Sequence, residues 1–212
     1  MYEPPLHREE DIARLHALIR AHPLGLLVSS GAQGLLANAI PFLLDADGSK
    51  FGTLRAHMAR ANGQWRDLIE SGDALVVFQG AERYVSPSWY ETKRETGKVV
   101  PTWNYVIVQA RGKARAIEDD AWLARQIEDL TQAHEGERAA PWAVGDAPAD
   151  FVAAQRRAIV GLEIAISDLR GKWKTSQNRN AADRAGVVAG LLAEGDAEAE
   201  AMAAIVGDAG PR

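Results

Sequence analysis

One stretch near the end of the chain has the clearest structural pattern in the sequence. Val160, Leu162, Ile164 and Ile166 alternate with Gly161, Glu163, Ala165 and Ser167. Because successive side chains of a β-strand point to opposite faces of the sheet, this period of two predicts a strand with one buried face. An apolar face of this kind needs neighbouring strands and a covering layer, so the chain is constrained to a fold built on a sheet.

Further strand patterns and several helix patterns occur along the chain. Strand patterns occur at 24–29, 35–44, 51–56, 74–78, 83–90 and 103–117, and Pro87 must lie at an edge or a bend. Helical patterns occur near 11–22, 121–134, 150–159 and 181–206, the last broken near Gly195. The strands and helices do not alternate regularly. The sequence therefore predicts a mainly β fold with added helices, a barrel rather than a doubly wound sheet, in one domain over 1–212.

Composition excludes several kinds of site. The chain has no cysteine, which excludes disulfides, thiolate metal sites and a cysteine nucleophile. Its five histidines are scattered without metal-ligand spacing, so no metal site is predicted. We find neither a signal-like apolar start nor an apolar run of roughly 18 residues, so we expect no membrane segment and a cytoplasmic protein.

Charge is distributed unevenly along the chain. The formal net charge is -5, which does not support binding to nucleic acid by charge alone. Between Arg170 and Arg184, five cationic side chains stand against the single acid Asp183. This local excess of positive charge predicts an anionic ligand there. Gly-rich dinucleotide and P-loop signatures are absent.

Four segments combine aromatic, hydroxyl, amide and cationic side chains at the ends of predicted strands: 57–62, 86–90, 100–105 and 171–178. A planar heterocycle needs apolar faces with a few polar partners, and a phosphate needs cations and hydroxyl donors. Taken singly, a tryptophan is more often a packing anchor and a basic run a solvated face. Taken together, the four segments favour a shared ligand pocket.

These segments carry a family resemblance. The stretches 23–25, 37–42, 57–62, 85–90, 100–105 and 171–178 resemble the PaiB-type family of FMN-binding negative transcriptional regulators, whose fold is the flavin split barrel. One departure is Gly63, where a proline is expected after Asn62. The resemblance implies a split β-barrel of the FMN-binding type, FMN as cofactor, and a homodimer with FMN at the subunit interface.

The resemblance also implies site residues. Arg60, with Lys172 or Lys174 and the Ser176 hydroxyl, would hold the phosphate. Ser86, Ser88, Trp89, Thr102, Trp103 and Asn104 would line the isoalloxazine and ribityl chain. His57 would contact the flavin or orient the Arg60 loop. Asn62 and Gln177 complete the predicted cofactor-binding set, and no catalytic residue is assigned.

The function that accompanies the cofactor stays open at this point. The resemblance implies transcriptional regulation, but we find no helix-turn-helix, and DNA binding is unsupported by the charge. Flavin-dependent oxidoreductases, namely flavin reductases and pyridoxamine phosphate oxidases, share the split barrel and form the alternative, since the chemistry there belongs mainly to the cofactor. A flavin-sensing or storage protein is a third reading, and the fold alone does not choose among them.

Overall fold

The structure is a computed structural model that describes residues 1–31, 34–46 and 48–208. The strands are β1 (Arg8–Glu9), β2 (Leu24–Gly31), β3 (Gly34–Pro41), β4 (Leu43–Asp45), β5 (Thr53–Ala59), β6 (Asp73–Val85), β7 (Thr102–Ile117) and β8 (Ile159–Lys174). The α-helices are α1 (Ile12–Ala21), α2 (Gln64–Ser71), α3 (Glu91–Thr96), α4 (Asp120–Glu135), α5 (Ala149–Arg157), α6 (Ala181–Glu194) and α7 (Ala197–Asp208). Short 3-10 helices lie at Pro5–His7, Pro87–Trp89 and Val144–Asp146.

The strands form one mainly antiparallel sheet in the order β3-β2-β6-β7-β8-β5-β4, and β1 pairs with β8. Strand β8 has the alternation that the sequence predicts. Val160, Leu162 and Ile164 are fully buried, whereas Ala165 and Ser167 are exposed. The predicted fold class, mainly β with added helices, is confirmed.

One predicted strand is wrong beyond Val85. The sequence pattern places a strand over 83–90, but β6 ends at Val85 and Pro87–Trp89 forms a 3-10 helix. Proline lacks a backbone N–H and has a fixed φ, so it interrupts a ladder but suits the first turn of a helix. The Ser86 side chain caps this helix by accepting a hydrogen bond from the Ser88 N–H at 3.2 Å.

The residues group into two compact units. The first unit comprises Met1–Leu18, Gln79–Val108 and Arg170–Arg212, and the second comprises Ile19–Phe78 and Gln109–Leu169. Each unit is described by itself below. The expectation of one domain over 1–212 stays a prediction.

The first unit has a core that the two C-terminal helices complete. Val85 and Tyr90 pack with Val187 and Leu191 of α6 and with residues of α7. Asn180 begins α6, because its side chain accepts a hydrogen bond from the Asp183 N–H at 2.8 Å. This core therefore depends on residues that are distant in sequence.

The second unit is built from the hairpins β2-β3 and β4-β5 together with parts of β6, β7 and β8. Its buried side chains include Leu27, Leu54, Val76 and Leu162, all fully buried. Helix α4 begins at Asp119, whose carboxylate accepts a hydrogen bond from the Trp122 N–H at 2.7 Å.

Candidate functional site

Two lysines at the end of β8, in the first unit, donate hydrogen bonds to neutral oxygen atoms of the described residues. The Lys172 ammonium donates to the Tyr2 carbonyl oxygen at 3.0 Å. The Lys174 ammonium donates to the Trp103 carbonyl oxygen at 2.5 Å and to the Thr102 hydroxyl. The predicted segments 100–105 and 171–178 thus meet in the structure, joined by Lys174.

The two ammonium groups lie near the same aromatic ring, and the described residues supply no counter-charge to either. Both stand over the ring of Tyr105, with nitrogen-to-centroid distances of 5.2 Å for Lys172 and 5.9 Å for Lys174. Across the described ranges 1–31, 34–46 and 48–208, neither lysine forms an ion pair with an acidic side chain. Two cations at one place without a carboxylate leave a local positive potential, which suits an anionic ligand.

The pKa values report the same excess of positive charge. Burial lowers the pKa of Lys174, and the charges of Lys172 and Arg179 lower it further. Burial likewise lowers the pKa of His7; a hydrogen bond with Gln177 opposes this, and the charges of Lys172 and Lys174 add to the lowering. A bound anion would reverse these charge effects, because an opposite charge favours the protonated form of each group.

The turn that follows β8 is held in an unusual conformation. Ser176 has a φ of 64°, the only positive φ of a non-glycine residue within the described part of the chain. Its hydroxyl accepts a hydrogen bond from the Asn104 amide at 3.0 Å, and both side chains are buried. Gln177 donates to the Trp173 carbonyl oxygen at 2.5 Å and accepts from the Thr175 N–H at 2.8 Å. Strained backbone that is fixed in this way is concentrated at functional sites.

The segment 86–89 makes its own set of contacts in the first unit. The Ser88 hydroxyl accepts a hydrogen bond from the Lys93 ammonium at 3.0 Å. The Trp89 ring lies against α6 at Gly190, where a Cβ atom would collide with the indole. Ser86 and Ser88 thus have local partners, and the Trp89 ring packs against α6; the role of these three residues in lining the isoalloxazine stays a prediction.

Three predicted site residues lie in the second unit. Arg60 forms an ion pair with Glu118 at 2.5 Å and donates to two backbone carbonyl oxygens, including that of Ile159 at 3.0 Å. The Asn62 side chain accepts a hydrogen bond from the Gln64 N–H at 3.1 Å and so supports the start of α2. His57 has a buried Nδ1 without a hydrogen-bond partner among the described residues, and burial lowers its pKa.

Within the first unit, contacts join a subset of the predicted residues into one group, which we call the lysine site: Thr102, Trp103, Asn104, Lys172, Lys174, Ser176 and Gln177. Three further members were not predicted from the sequence: His7, Tyr105 and Arg179. Tyr105 lies inside one of the four ligand-like segments and Arg179 lies directly after another. Their sequence context therefore pointed to a ligand. His7 had no signal, because it is 170 positions from its partner Gln177.

The lysine site fits the phosphate end of a flavin mononucleotide. A phosphate monoester requires cations together with hydroxyl or amide groups, and the site offers two ammonium groups, the Thr102 hydroxyl and the Ser176 hydroxyl. The same unit carries an accessible aromatic pair, Tyr84 and Trp103, in edge-to-face contact with a centroid distance of 6.1 Å. These rings are 44% and 50% exposed, so a planar heterocycle has apolar surface to contact.

Membrane-spanning helices and clusters of metal ligands are both absent from the described residues. The described helices include none that is long and apolar enough to cross a membrane. The described side chains also contain no group of three or more histidine, aspartate or glutamate residues placed to hold a metal ion.

Comparisons with known proteins agree with the flavin fit. Residues 1–168 match the family described as "Putative FMN-binding domain". The chain is 39% identical to the protein AN0679 of Emericella nidulans, over 99% of this chain and 98% of that protein. It is 29% identical to the protease synthase and sporulation protein PAI 2 of Bacillus subtilis, over 98% and 97%. The FAD and heme binding protein of Mycobacterium smegmatis has the same fold, with a TM-score of 0.60, 19% identity, and coverage of 87% of this chain and 80% of that one.

Proposed function

Because this chain belongs to the PaiB-type family of FMN-binding proteins, with the flavin split-barrel fold and FMN as cofactor, we propose that the lysine site holds the FMN phosphate. In this proposal Lys172 and Lys174 supply the charge, and the Ser176 and Thr102 hydroxyls supply hydrogen bonds. The observation that carries it is the absence of any carboxylate partner for either ammonium among the described residues.

Charge balance at the two lysines favours a bound anion. Burying a cation without a partner is unfavourable, and most buried charges in proteins are paired. Lys172 is buried and Lys174 is half-buried, yet both donate only to neutral oxygens. A phosphate dianion supplies the missing counter-charge, and hydrogen bonds between charged groups are the strong ones. The site is therefore complete only with an anion.

Two further predicted residues of the first unit, Trp103 and Asn104, have places in the same proposal. Trp103 with Tyr84 offers an aromatic surface to the isoalloxazine ring, and Asn104 orients the Ser176 hydroxyl. Bound FMN supplies reversible electron transfer. The side chains of this chain bind and orient it and neutralise its phosphate.

The roles of Arg60, His57 and Asn62 in FMN binding stay proposals, and we rank them below those of the two lysines. Glu118 already neutralises the Arg60 guanidinium within the second unit, so Arg60 does not carry an unpaired charge as the lysines do. We expect Arg60→Ala to weaken FMN binding less than Lys174→Ala does.

The test compares FMN with riboflavin, which lacks the phosphate. We expect Lys174→Ala to weaken FMN binding about tenfold to a hundredfold, because a hydrogen bond to a charged group contributes roughly 1.5–3 kcal/mol. Riboflavin binding should change little. Quenching of flavin fluorescence on titration gives both affinities.

Lys93→Ala is the matched control, since the Lys93 ammonium contacts the Ser88 hydroxyl in the same unit but lies outside the lysine site. Equal losses for the two flavins, or unchanged FMN binding, would assign the phosphate to other residues.

We also propose that the protein is a cytoplasmic homodimer with FMN at the subunit interface. Two partly exposed aromatic rings beside the lysine site, Tyr84 and Trp103, support an assembly that covers them. Light scattering during size-exclusion chromatography tests the dimer, and cell fractionation tests the location.

Transcriptional regulation and flavin-dependent catalysis are two separate proposals for what the protein does with bound FMN. A gel shift titrated against salt tests DNA binding, and consumption of NAD(P)H under air tests a flavin-dependent oxidoreductase. The negative net charge of the chain gives the DNA reading no support.

A further inference from the structure

His7 is brought to the lysine site by strand β1, which pairs with the end of β8. Arg8 pairs with Lys172 in this ladder, so the residue before it, His7, lies beside the last residues of β8. The His7 Nδ1 atom is 3.1 Å from the Gln177 Oε1 atom. The ring is therefore held against the turn that carries Ser176 and Gln177, and the proposed function has so far given it no role.

The Gln177 side-chain amide has one orientation that satisfies its neighbours. Its Nε2 group donates to the Trp173 carbonyl oxygen at 2.5 Å, and its Oε1 atom accepts from the Thr175 N–H at 2.8 Å. A backbone carbonyl only accepts and a backbone N–H only donates, so a reversed amide would lose both hydrogen bonds. The atom that faces His7 is therefore the oxygen, which carries no proton.

This orientation fixes which nitrogen of His7 carries the proton of the neutral ring. Because Gln177 Oε1 can only accept, His7 Nδ1 must be the donor. A neutral imidazole has one N–H, so the lone pair of the neutral ring is at Nε2. The Nε2 atom accepts no hydrogen bond from any of the described residues. A second proton can therefore be added at Nε2 while the contact with Gln177 stays in place.

In the free protein, the surroundings of His7 oppose that second proton. Burial lowers the pKa of His7, the hydrogen bond with Gln177 opposes this, and the charges of Lys172 and Lys174 add to the lowering. The Trp173 backbone favours the protonated ring to a smaller extent. Because the pKa lies below its ordinary value of 6.5, most of the rings are neutral at pH 7 and stand beside two cations.

The acidic side chains closest to His7 in the sequence already have cationic partners. Glu3 forms an ion pair with Arg170 at 3.4 Å, and Glu9 forms one with Arg14 at 2.6 Å. No described carboxylate is among the groups that act on the His7 ring. An anion bound at the lysine site changes this balance, because an opposite charge favours the protonated ring.

We propose that binding of the FMN phosphate at the lysine site places a proton on His7 Nε2 and so makes this ring a third cationic group of the site. Solvent supplies the proton, which forms an N–H bond at the Nε2 lone pair, and no bond of FMN is made or broken. The third cation rests on the proposed function, since it needs the phosphate at the lysine site. Its contribution to FMN affinity is present at low pH and is lost as pH rises past the raised pKa of His7 in the complex.

Calorimetry of FMN binding measures this proton. Titrations at pH 7 in two buffers that differ in ionisation enthalpy, neither of them phosphate, give the number of protons taken up with each FMN. We expect the unchanged protein to take up more protons than His7→Gln, by up to about one per FMN, because glutamine keeps a donor for Gln177 but does not titrate. His22→Gln is the matched control, since His22 is an exposed histidine of the second unit, and it should behave as the unchanged protein does.

The FMN phosphate itself titrates near roughly pH 6, so the difference between the two proteins is the measure of His7. Riboflavin should show no such difference. Equal proton uptake by the unchanged protein and His7→Gln, or the same difference with riboflavin, overturns the proposal. If Lys174→Ala loses the preference for FMN over riboflavin while His7→Gln takes up protons normally, only the role of His7 fails. If Lys174→Ala keeps that preference, the proposed function fails, and the role of His7 fails with it.

Nuclear magnetic resonance of the histidine rings observes the proton in the unchanged protein. The chain has five histidines, and the His7 signals are those that disappear in His7→Gln or His7→Asn. Above pH 7, the ring nitrogen chemical shifts of the free protein should show the proton on Nδ1, and saturation with FMN should convert the ring to the imidazolium. A free ring with its proton on Nε2, or a ring that stays neutral when FMN is bound at pH 7, overturns the proposal.

Discussion

Two cationic groups in this protein differ in the charge of the atoms that accept their hydrogen bonds. In the second unit, the Arg55 guanidinium donates to Asp45 at 2.5 and 3.1 Å, to Asp129 at 2.9 Å and to Gln126 at 2.9 Å. In the first unit, Lys172 and Lys174 have only neutral acceptors. One cation is surrounded by its counter-charges, and the other pair has none among the described residues.

The pKa values of Arg55 and Lys174 move in opposite directions. Burial lowers the pKa of Arg55, but hydrogen bonds to Asp45 and Asp129 outweigh this effect and raise it overall. Burial lowers the pKa of Lys174, and the neighbouring cations Lys172 and Arg179 add to that effect. Arg55 is thus paired within the fold, whereas Lys172 and Lys174 are the cations that we propose to pair with the FMN phosphate. Sequence alone shows both simply as basic residues.

The largest effect is expected when both unpaired cations are removed. The variant Lys172→Ala/Lys174→Ala should weaken FMN binding at least about a hundredfold, since each charged hydrogen bond contributes roughly 1.5–3 kcal/mol. Unfolding by urea should change little, because the lysines have no carboxylate to leave unpaired. A fall in stability as large as that in FMN affinity would show that the lysines are structural.

Arg55→Ala should have the opposite signature. It leaves Asp45 and Asp129 without their cation, and loss of one partner from a buried pair costs roughly 3–5 kcal/mol. Because both carboxylates are about two-fifths exposed, we expect a smaller loss of about 2 kcal/mol in the free energy of unfolding by urea. The affinity for FMN should be unchanged. Lys113→Ala is the control: the Lys113 ammonium and its partner Asp73 are both largely exposed, so its loss should be nearly neutral.

The smallest expected effect is a pH dependence of FMN binding. The pKa of Lys174 lies below its ordinary value of 10.5, so the free protein loses this charge at a lower pH than an ordinary lysine does. The protonated form binds phosphate, and FMN affinity should therefore fall as pH rises from 7 to 9, by less than about tenfold. Riboflavin titrations over the same range supply the control. An affinity for FMN that rises with pH would contradict the role of Lys174.

Local pattern was sufficient for the regular parts of the fold. The alternation in β8 and the apolar faces of the longer helices are properties of adjacent residues, so they can be read along the chain. Helix α2 was not predicted, because its buried face consists of Gln64 and Leu68 and the sequence around Asn62 is mostly polar. Helix α3 consists entirely of polar and charged residues and has no apolar period.

The residue types of the candidate site were predictable from the sequence, but the contacts between them were not. The run from Lys172 to Gln177 and the segment from Thr102 to Asn104 were both marked as ligand-like. That Lys174 reaches Thr102 depends on the pairing of distant strands, and nothing local encodes it. The neutralisation of Arg60 by Glu118 was invisible for the same reason, since the partners are 58 positions apart.

The packing of α6 and α7 on the first unit has a consequence for where this chain can be cut. The family match ends at residue 168, which suggests a natural end for a shortened protein. A chain that stops there keeps Val85 and Tyr90 but loses Val187 and Leu191, against which they are buried, and it also lacks both lysines of the site. The end of the family match is thus not a boundary of folding, and a chain shortened there would expose apolar surface to other molecules and aggregate.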